Sequence, residues 1–275
     1  MDWSEIMTPD RIILITGSTD GVGRCLAGKL AEPGTHLLLH GRDMNRGEAV
    51  QAETELTGAK TTFFRADVTS LAEVRALANV VASAHPRLNV LVNNAGVAKP
   101  NDMRQVTPDG FELHFAVNYL APFLLTHLLR GSLTAGAPAR VINVVSAAQS
   151  RIDMDDLMLE HGYDGSLAYA RSKLAMAMLT IDIAERWNSE GVTAACLHPG
   201  THLDTTTVRQ AGIKPFGSAD DGANAVLKLV EAEAASINGK YFNVRREARV
   251  LAQAYDTQAR HSLRKASFDL SNLEG

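Results

Sequence analysis

Arg11-Ile12-Ile13-Leu14-Ile15-Thr16-Gly17-Ser18-Thr19-Asp20-Gly21-Val22-Gly23-Arg24 runs from an apolar segment through a glycine turn into a helix. The apolar segment shows no polar alternation, as expected of a strand buried on both faces of a parallel sheet. Residues 24–31 read as a helix that stops at Pro33-Gly34. A strand, a turn and a helix in this order form a phosphate-binding context. Gly17 permits the tight turn, Gly21 lets the backbone approach a pyrophosphate, and Gly23 lets helix and strand pack closely. The first N–H groups of the helix then face the anion. The spacing is G-x3-G-x-G, and such a turn alone can also be purely structural.

Further along, apolar strands and amphipathic helices keep alternating. Strands are predicted at 35–40, 60–65, 88–92, 140–145, 192–197 and 239–244, and helices at 45–56, 70–84, 108–130, 167–190, 219–233 and 250–263. Alternation of this kind predicts an α/β fold: a doubly wound, mostly parallel β-sheet with helices on both faces, Rossmann-like. With no repeat, linker or composition break, residues 1–275 read as one domain. Within it, 201–218 is an irregular segment suited to a substrate lid, and 248–275 is a C-terminal helical extension with a polar tail.

Composition excludes several functions. A net charge of −4 and 5% aromatic residues give no footprint for nucleic acid. The start of the chain, 1–10, lacks the features of a signal peptide, and no apolar run reaches the length of a membrane span, so a cytoplasmic location is expected. Cys25 and Cys196 read as free thiols. No histidine stands at ligand spacing from Asp153, Asp155 and Asp156, so no metal site is expected.

In such sheets ligands sit at the carboxyl ends of strands. The second strand ends in His40-Gly41-Arg42, where an acidic residue would bind the 2′-OH of NAD. A guanidinium there suits a 2′-phosphate, so NADP(H) is favoured and NAD(H) is the alternative. Asp67 ends the third strand, as an acceptor for adenine or as a helix N-cap. Asn93-Asn94-Ala95-Gly96 ends the fourth, Ser146 the fifth and Pro199-Gly200 the sixth. Tyr169 and Lys173 are four residues apart and share a helix face. A cation beside a phenol favours the phenolate, so the spacing predicts a lowered tyrosine pKa.

Taken together, Thr16-Gly17-x3-Gly21-x-Gly23, Asn93-Asn94-Ala95-Gly96, Asn118, Ser146, Tyr169-x3-Lys173 and Pro199-Gly200 closely resemble the short-chain dehydrogenase/reductase superfamily over residues 10–245. The long interval from Ser146 to Tyr169, with Ile152-Asp153-Met154-Asp155-Asp156-Leu157 inside it, resembles the retinol-dehydrogenase-like branch. The resemblance implies a catalytic tetrad. Tyr169 is the proton donor or acceptor, Lys173 lowers its pKa and binds the nicotinamide ribose, Ser146 holds the substrate oxygen, and Asn118 orders a relay water. It also implies cofactor contacts from Gly17, Ser18, Thr19, Gly21, Val22, Gly23, Arg42, Asp67, Val68, Asn94, Ala95, Gly96, Pro199 and Gly200. The threonine that follows Pro199-Gly200 in that family is displaced by one residue here, and Thr205 is placed in that role.

The implied activity is NADP(H)-dependent interconversion of a carbonyl and an alcohol on a mid-sized, partly lipophilic small molecule. A homodimer or homotetramer built through helices 111–130 and 169–187 is implied as well. Two other functions fit the fold: a non-catalytic NADP(H) sensor or scaffold, and an NAD-dependent epimerase or dehydratase. The intact Tyr169/Lys173 pair weighs against the first and Arg42 against the second.

Overall fold

The computed structural model describes residues 11–210 and 212–274. The expected absence of a leader concerns residues 1–10, which lie outside the described residues. Along the chain come β1 (Arg11–Ile15), α1 (Gly21–Leu30), β2 (Thr35–Gly41), α2 (Met44–Glu55), β3 (Lys60–Arg65), α3 (Leu71–Ala84) and β4 (Val90–Asn93). The next helical stretch comprises α4 (Leu113–Phe115), a π-helical turn (Ala116–Leu120), α5 (Ala121–Leu128) and α6 (Arg130–Ala135). Then follow β5 (Ala139–Val144), α7 (Gly165–Arg186), β6 (Val192–His198), β7 (Leu203–Asp204), α8 (Thr206–Gln210), β8 (Gly217–Ser218), α9 (Ala219–Glu231) and α10 (Ala234–Ile237). The chain closes with β9 (Tyr241–Asn243), β10 (Arg246–Ala248) and α11 (Thr257–Ser271).

Eight strands form one sheet in the order β10-β9-β6-β5-β4-β1-β2-β3, parallel except for β10 against β9. The order reverses at β1 and β4, so the crevice at their carboxyl ends is where a ligand belongs. Alternating side chains along the strands feed two cores. Leu14, Leu38, Leu91 and Val141 pack with α3, α5 and α7. Ile13, Ile15, Leu37, Leu39, Val92 and Ile142 pack with α1 and α9. Helices therefore cover both faces, as predicted. Arg140 on β5 donates to the carbonyls of Val230 (2.6 Å) and Ala232 (2.7 Å), satisfying acceptors that the end of α9 leaves open.

Differences from the sequence reading have local causes. The helix predicted from 108 begins only at Leu113, because Val106 bridges Glu112 and the carboxylate of Glu112 caps Phe115 N–H. Segment 201–218 is not wholly irregular: β7 pairs with β8, and α8 lies between them. The C-terminal helix sits later than 250–263, starting where Asp256 caps it. Most of the tail predicted to be polar is therefore helical, as far as Ser271. Among the described residues no helix is long and apolar enough to cross a membrane.

Candidate active site

The glycine turn is tied to its neighbouring strands by side chains. Thr16 Oγ1 accepts from the N–H groups of Asn94 and Ala95, both at 3.0 Å, while Asn94 Nδ2 donates to the carbonyls of Thr16 (2.9 Å) and Gly17 (3.0 Å). Gly17 has φ +64°, and a Cβ on it would stand 2.9 Å from Ala95 Cα. On Gly23 a Cβ would stand 2.2 Å from the Gly17 carbonyl oxygen, so α1 approaches β1 only because that atom is missing. Ser18 is fully buried, its hydroxyl exchanging hydrogen bonds with the His40 backbone, so its side chain lies beneath the turn.

A cleft of about 480 Å³ opens above the turn. Gly17, Thr19, Gly21, Val22, Arg42, Asp67, Val68, Asn94, Ala95, Gly96 and Thr205 all line it. Gly23 packs beneath it. Thr205 reaches over from the 201–218 segment, its methyl 3.0 Å from the Cβ position of Gly21. Asp67 Oδ1 accepts from Thr69 N–H (3.0 Å), and Ser70 rather than Asp67 is the N-cap of α3. Asp43, which also lines the cleft, caps α2 through Arg46 N–H (3.1 Å).

At the neighbouring strand ends the sheet brings Ser146, Tyr169, Lys173 and Asn118 together. Lys173 is buried, its Nζ donating to Val144 O (3.1 Å) and lying 5.7 Å from the centroid of the Tyr169 ring. Burial pushes this ammonium down to about 8. The predicted lowering of the Tyr169 pKa is corrected here. Burial pushes the phenol above its ordinary value, and hydrogen bonding with Ser146 only partly opposes that. Desolvation acts on both groups and disfavours the charged form of each. Asn118 sits in the π-helical turn, a local irregularity common at functional sites. Its Oδ1 accepts from Val97 N–H (2.8 Å), and its Nδ2 donates to Val97 O (3.0 Å) and Ser172 Oγ (3.0 Å). Pro199-Gly200 forms the turn after β6, with Leu203 packed where a Gly200 Cβ would stand.

Residues 11–214 match the family model described as short chain dehydrogenase. The chain belongs to the short-chain dehydrogenase family. Within this oxidoreductase family it is retinol-dehydrogenase-like. It is 34% identical to human retinol dehydrogenase 11, with 98% of this chain and 88% of that protein covered. Identity to human retinol dehydrogenase 14 is also 34%, over 96% of this chain and 85% of that one. Among solved structures, the Pseudomonas aeruginosa RhlG/NADP active-site complex superimposes with TM-score 0.70 at 25% identity, covering 85% of this chain and 94% of that one. NADPH-bound carbonyl reductase from chicken fatty liver gives 0.68 at 25% identity, covering 87% and 98%.

Sequence reasoning missed two features of this short-chain dehydrogenase's cleft. Arg46 lines it from the first turn of α2, four residues after Arg42, with Nη1 3.5 Å from Asp20 Oδ2. Its spacing from Arg42 was a usable signal. His40 carries no such signal. Its Nδ1 accepts from Gly17 N–H (3.2 Å) and its Nε2 bonds the Ala66 carbonyl (3.1 Å), so it braces the turn across three strands. Burial pushes it down to about 4, which keeps the ring neutral.

Proposed function

We propose that this short-chain dehydrogenase is an NADP(H)-dependent ketone or aldehyde reductase acting on mid-sized, partly lipophilic carbonyl compounds. The observation that carries the reading is a half-buried phenol held in its protonated form beside a serine hydroxyl and an easily deprotonated ammonium, at strand ends next to a glycine-lined cleft. A nicotinamide dinucleotide fits the residues present: the Gly17 and Gly23 positions have no room for a Cβ, and about 480 Å³ is within the ~300–1,000 Å³ usual for ligand clefts. Gly17, Thr19, Gly21, Val22, Asn94, Ala95, Gly96 and Thr205 would hold it, with Asp67 and Val68 at the adenine end and Lys173 at the nicotinamide ribose. When bound, it supplies the hydride that reduces the carbonyl carbon.

Ser146 and Tyr169 donate hydrogen bonds to the substrate oxygen as negative charge develops there. Tyr169, whose raised pKa keeps its proton in place, transfers it to that oxygen. Lys173, at about 8, gives up a proton near neutral pH and restores the phenol. Asn118 holds the Val97 backbone and Ser172 beside them, and a relay water on this amide remains part of the proposal. Tyr169→Phe should lower turnover of NADPH with a panel of ketones and aldehydes by about a thousandfold while leaving NADPH affinity unchanged. Normal turnover in that variant would sink the mechanism.

Preference for NADP(H) over NAD(H) rests on Arg42 and Arg46, two guanidinium groups at the cleft wall that follows β2. The RhlG and carbonyl reductase neighbours carry NADP or NADPH. An Arg42→Ala/Arg46→Ala double variant should lose at least about tenfold in NADPH affinity and little in NADH affinity. Equal losses for both would show that another group reads the 2′-phosphate. A single catalytic domain and a cytoplasmic location belong to the same proposal, as does assembly into a homodimer or homotetramer. Such assembly would need a surface other than the α5/α7 face, because α11 lies on it: Tyr119 OH meets Ser267 Oγ at 2.7 Å, and the Phe123 and Phe268 ring centroids are 5.2 Å apart.

A further inference from the structure

Two buried titratable side chains beside Tyr169 have no part in the chemistry above. Glu112 and His114 are each 1% exposed. Glu112 Oε2 accepts from Phe115 N–H at 2.7 Å, and its Oε1 lies 2.9 Å from His114 Nδ1 and accepts from the Tyr163 hydroxyl at 3.2 Å. Burial alone would push this carboxyl up. The hydrogen bonds from the His114 ring and the two backbone amides outweigh it and hold the group below its ordinary range, so it is a carboxylate. On the far side of the ring, His114 Nε2 accepts from Lys99 N–H at 3.0 Å. A ring nitrogen that accepts carries no proton, so the proton sits on Nδ1 and points at Glu112. Orientation and tautomer are thereby fixed together.

The other neighbour of the imidazole is Tyr169 itself, with ring centroids 6.1 Å apart and planes at 79°. His114 also stands four residues before Asn118. Asn118 holds Val97 by its N–H and its carbonyl, and His114 holds Lys99 by its N–H. Segment 97–100 is thus pinned at two points. It lies directly against the first residue of α7, since a Cβ on Gly165 would come within 2.6 Å of Pro100 O and 2.8 Å of Lys99 O. Gly165 is one helical turn before Tyr169. The His114 ring therefore flanks the phenol directly, and its bond to Lys99, with the bonds of Asn118 to Val97, pins the segment against which the start of the helix carrying Tyr169 packs.

We propose that His114, oriented by Glu112, is a positioning residue for Tyr169, fixing the phenol ring between the imidazole and Ser146 so that its hydroxyl meets the substrate oxygen. The inference rests on Tyr169 being the proton donor. His114→Leu removes both ring contacts, His114→Gln returns an acceptor for Lys99 N–H, and Glu112→Gln removes the orienting charge while keeping a capping oxygen. The three variants and Tyr169→Phe are compared with the wild type for NADPH turnover on nonanal and all-trans-retinal. Exchange of the Lys99 amide is followed by hydrogen–deuterium exchange with NADPH bound.

In His114→Leu, kcat should fall about tenfold or more while KM for NADPH stays within about twofold, and His114→Gln should recover part of the loss. Glu112→Gln should behave as a milder His114→Leu. The Lys99 amide should exchange faster in His114→Leu than in the wild type. An unchanged kcat in His114→Leu, with Tyr169→Phe inactive, overturns this inference alone. A loss matched by an equal rise in KM, or one that glutamine does not rescue, marks a general structural role and also overturns it. Normal turnover in Tyr169→Phe overturns both readings. Where the wild type reduces neither aldehyde, unchanged Lys99 exchange in His114→Leu overturns the inference and faster exchange supports it.

Discussion

Tyr169 and Lys173 show how far residue types alone carry chemistry. Their spacing marks a reactive pair, but the direction of the tyrosine shift depends on burial, which spacing does not report. Burial raises the phenol and lowers the ammonium to about 8, a combination that favours proton donation over proton abstraction. Reduction should therefore fall as pH rises through about 8, where Lys173 loses the proton that restores the phenol. A pH profile of kcat for reduction checks this, and Lys173→Arg, which stays charged, should lose that limb at whatever activity it retains. Ser146, Asn118 and the glycines were legible as types at strand and helix positions. His40, Glu112 and His114 were not, because each owes its place to a partner more than ten residues away or to a helix end that the apolar pattern blurred.

Among the elements, strands read best. All seven predicted strands exist, each within about two residues of its expected bounds, because burial on both faces leaves an unbroken apolar signature. β10 was missed: three residues at an antiparallel edge, Arg246-Glu247-Ala248, have no such signature. Helix ends were set by caps. Asp20, Asp43, Ser70, Asp164, Ser218 and Asp256 each accept a backbone N–H, and the predicted bounds erred where those caps went unread. The π-helical turn at Asn118 has no sequence signature. It is stabilised by the amide's bonds to Val97 and Ser172, residues that only the folded sheet brings there. The position of α11 likewise follows from contacts across the chain. Arg260 is 4% exposed on its side chain and bonds Glu185 at 2.7 Å, while Ser267 meets Tyr119. Those polar residues would read as a solvated face in isolation.

At the scale of the whole molecule, three histidines, two buried and one half-buried, couple folding to pH. His36, His40 and His127 are each pushed down to about 4, chiefly by burial. Their folded values lie below the unfolded value of about 6.5, so the unfolded chain binds more protons in between. The stability they support is complete above about pH 6.5 and is lost as pH falls towards about 4. Thermal midpoints measured from pH 7.5 to 4.5 should fall steadily below 6.5, and His127→Gln, which bears no titratable ring, should flatten part of that slope. The sequence by itself determined the alternating strands and helices, the parallel sheet and its family, and the residue types at the strand ends, because those follow from local apolar periodicity and short glycine spacings. Tertiary structure decided the protonation of Tyr169 and Lys173, the second arginine at the cleft, the Glu112–His114 clamp and the covering of α5 and α7 by α11. Desolvation and long-range hydrogen bonds exist only once distant segments share one interior.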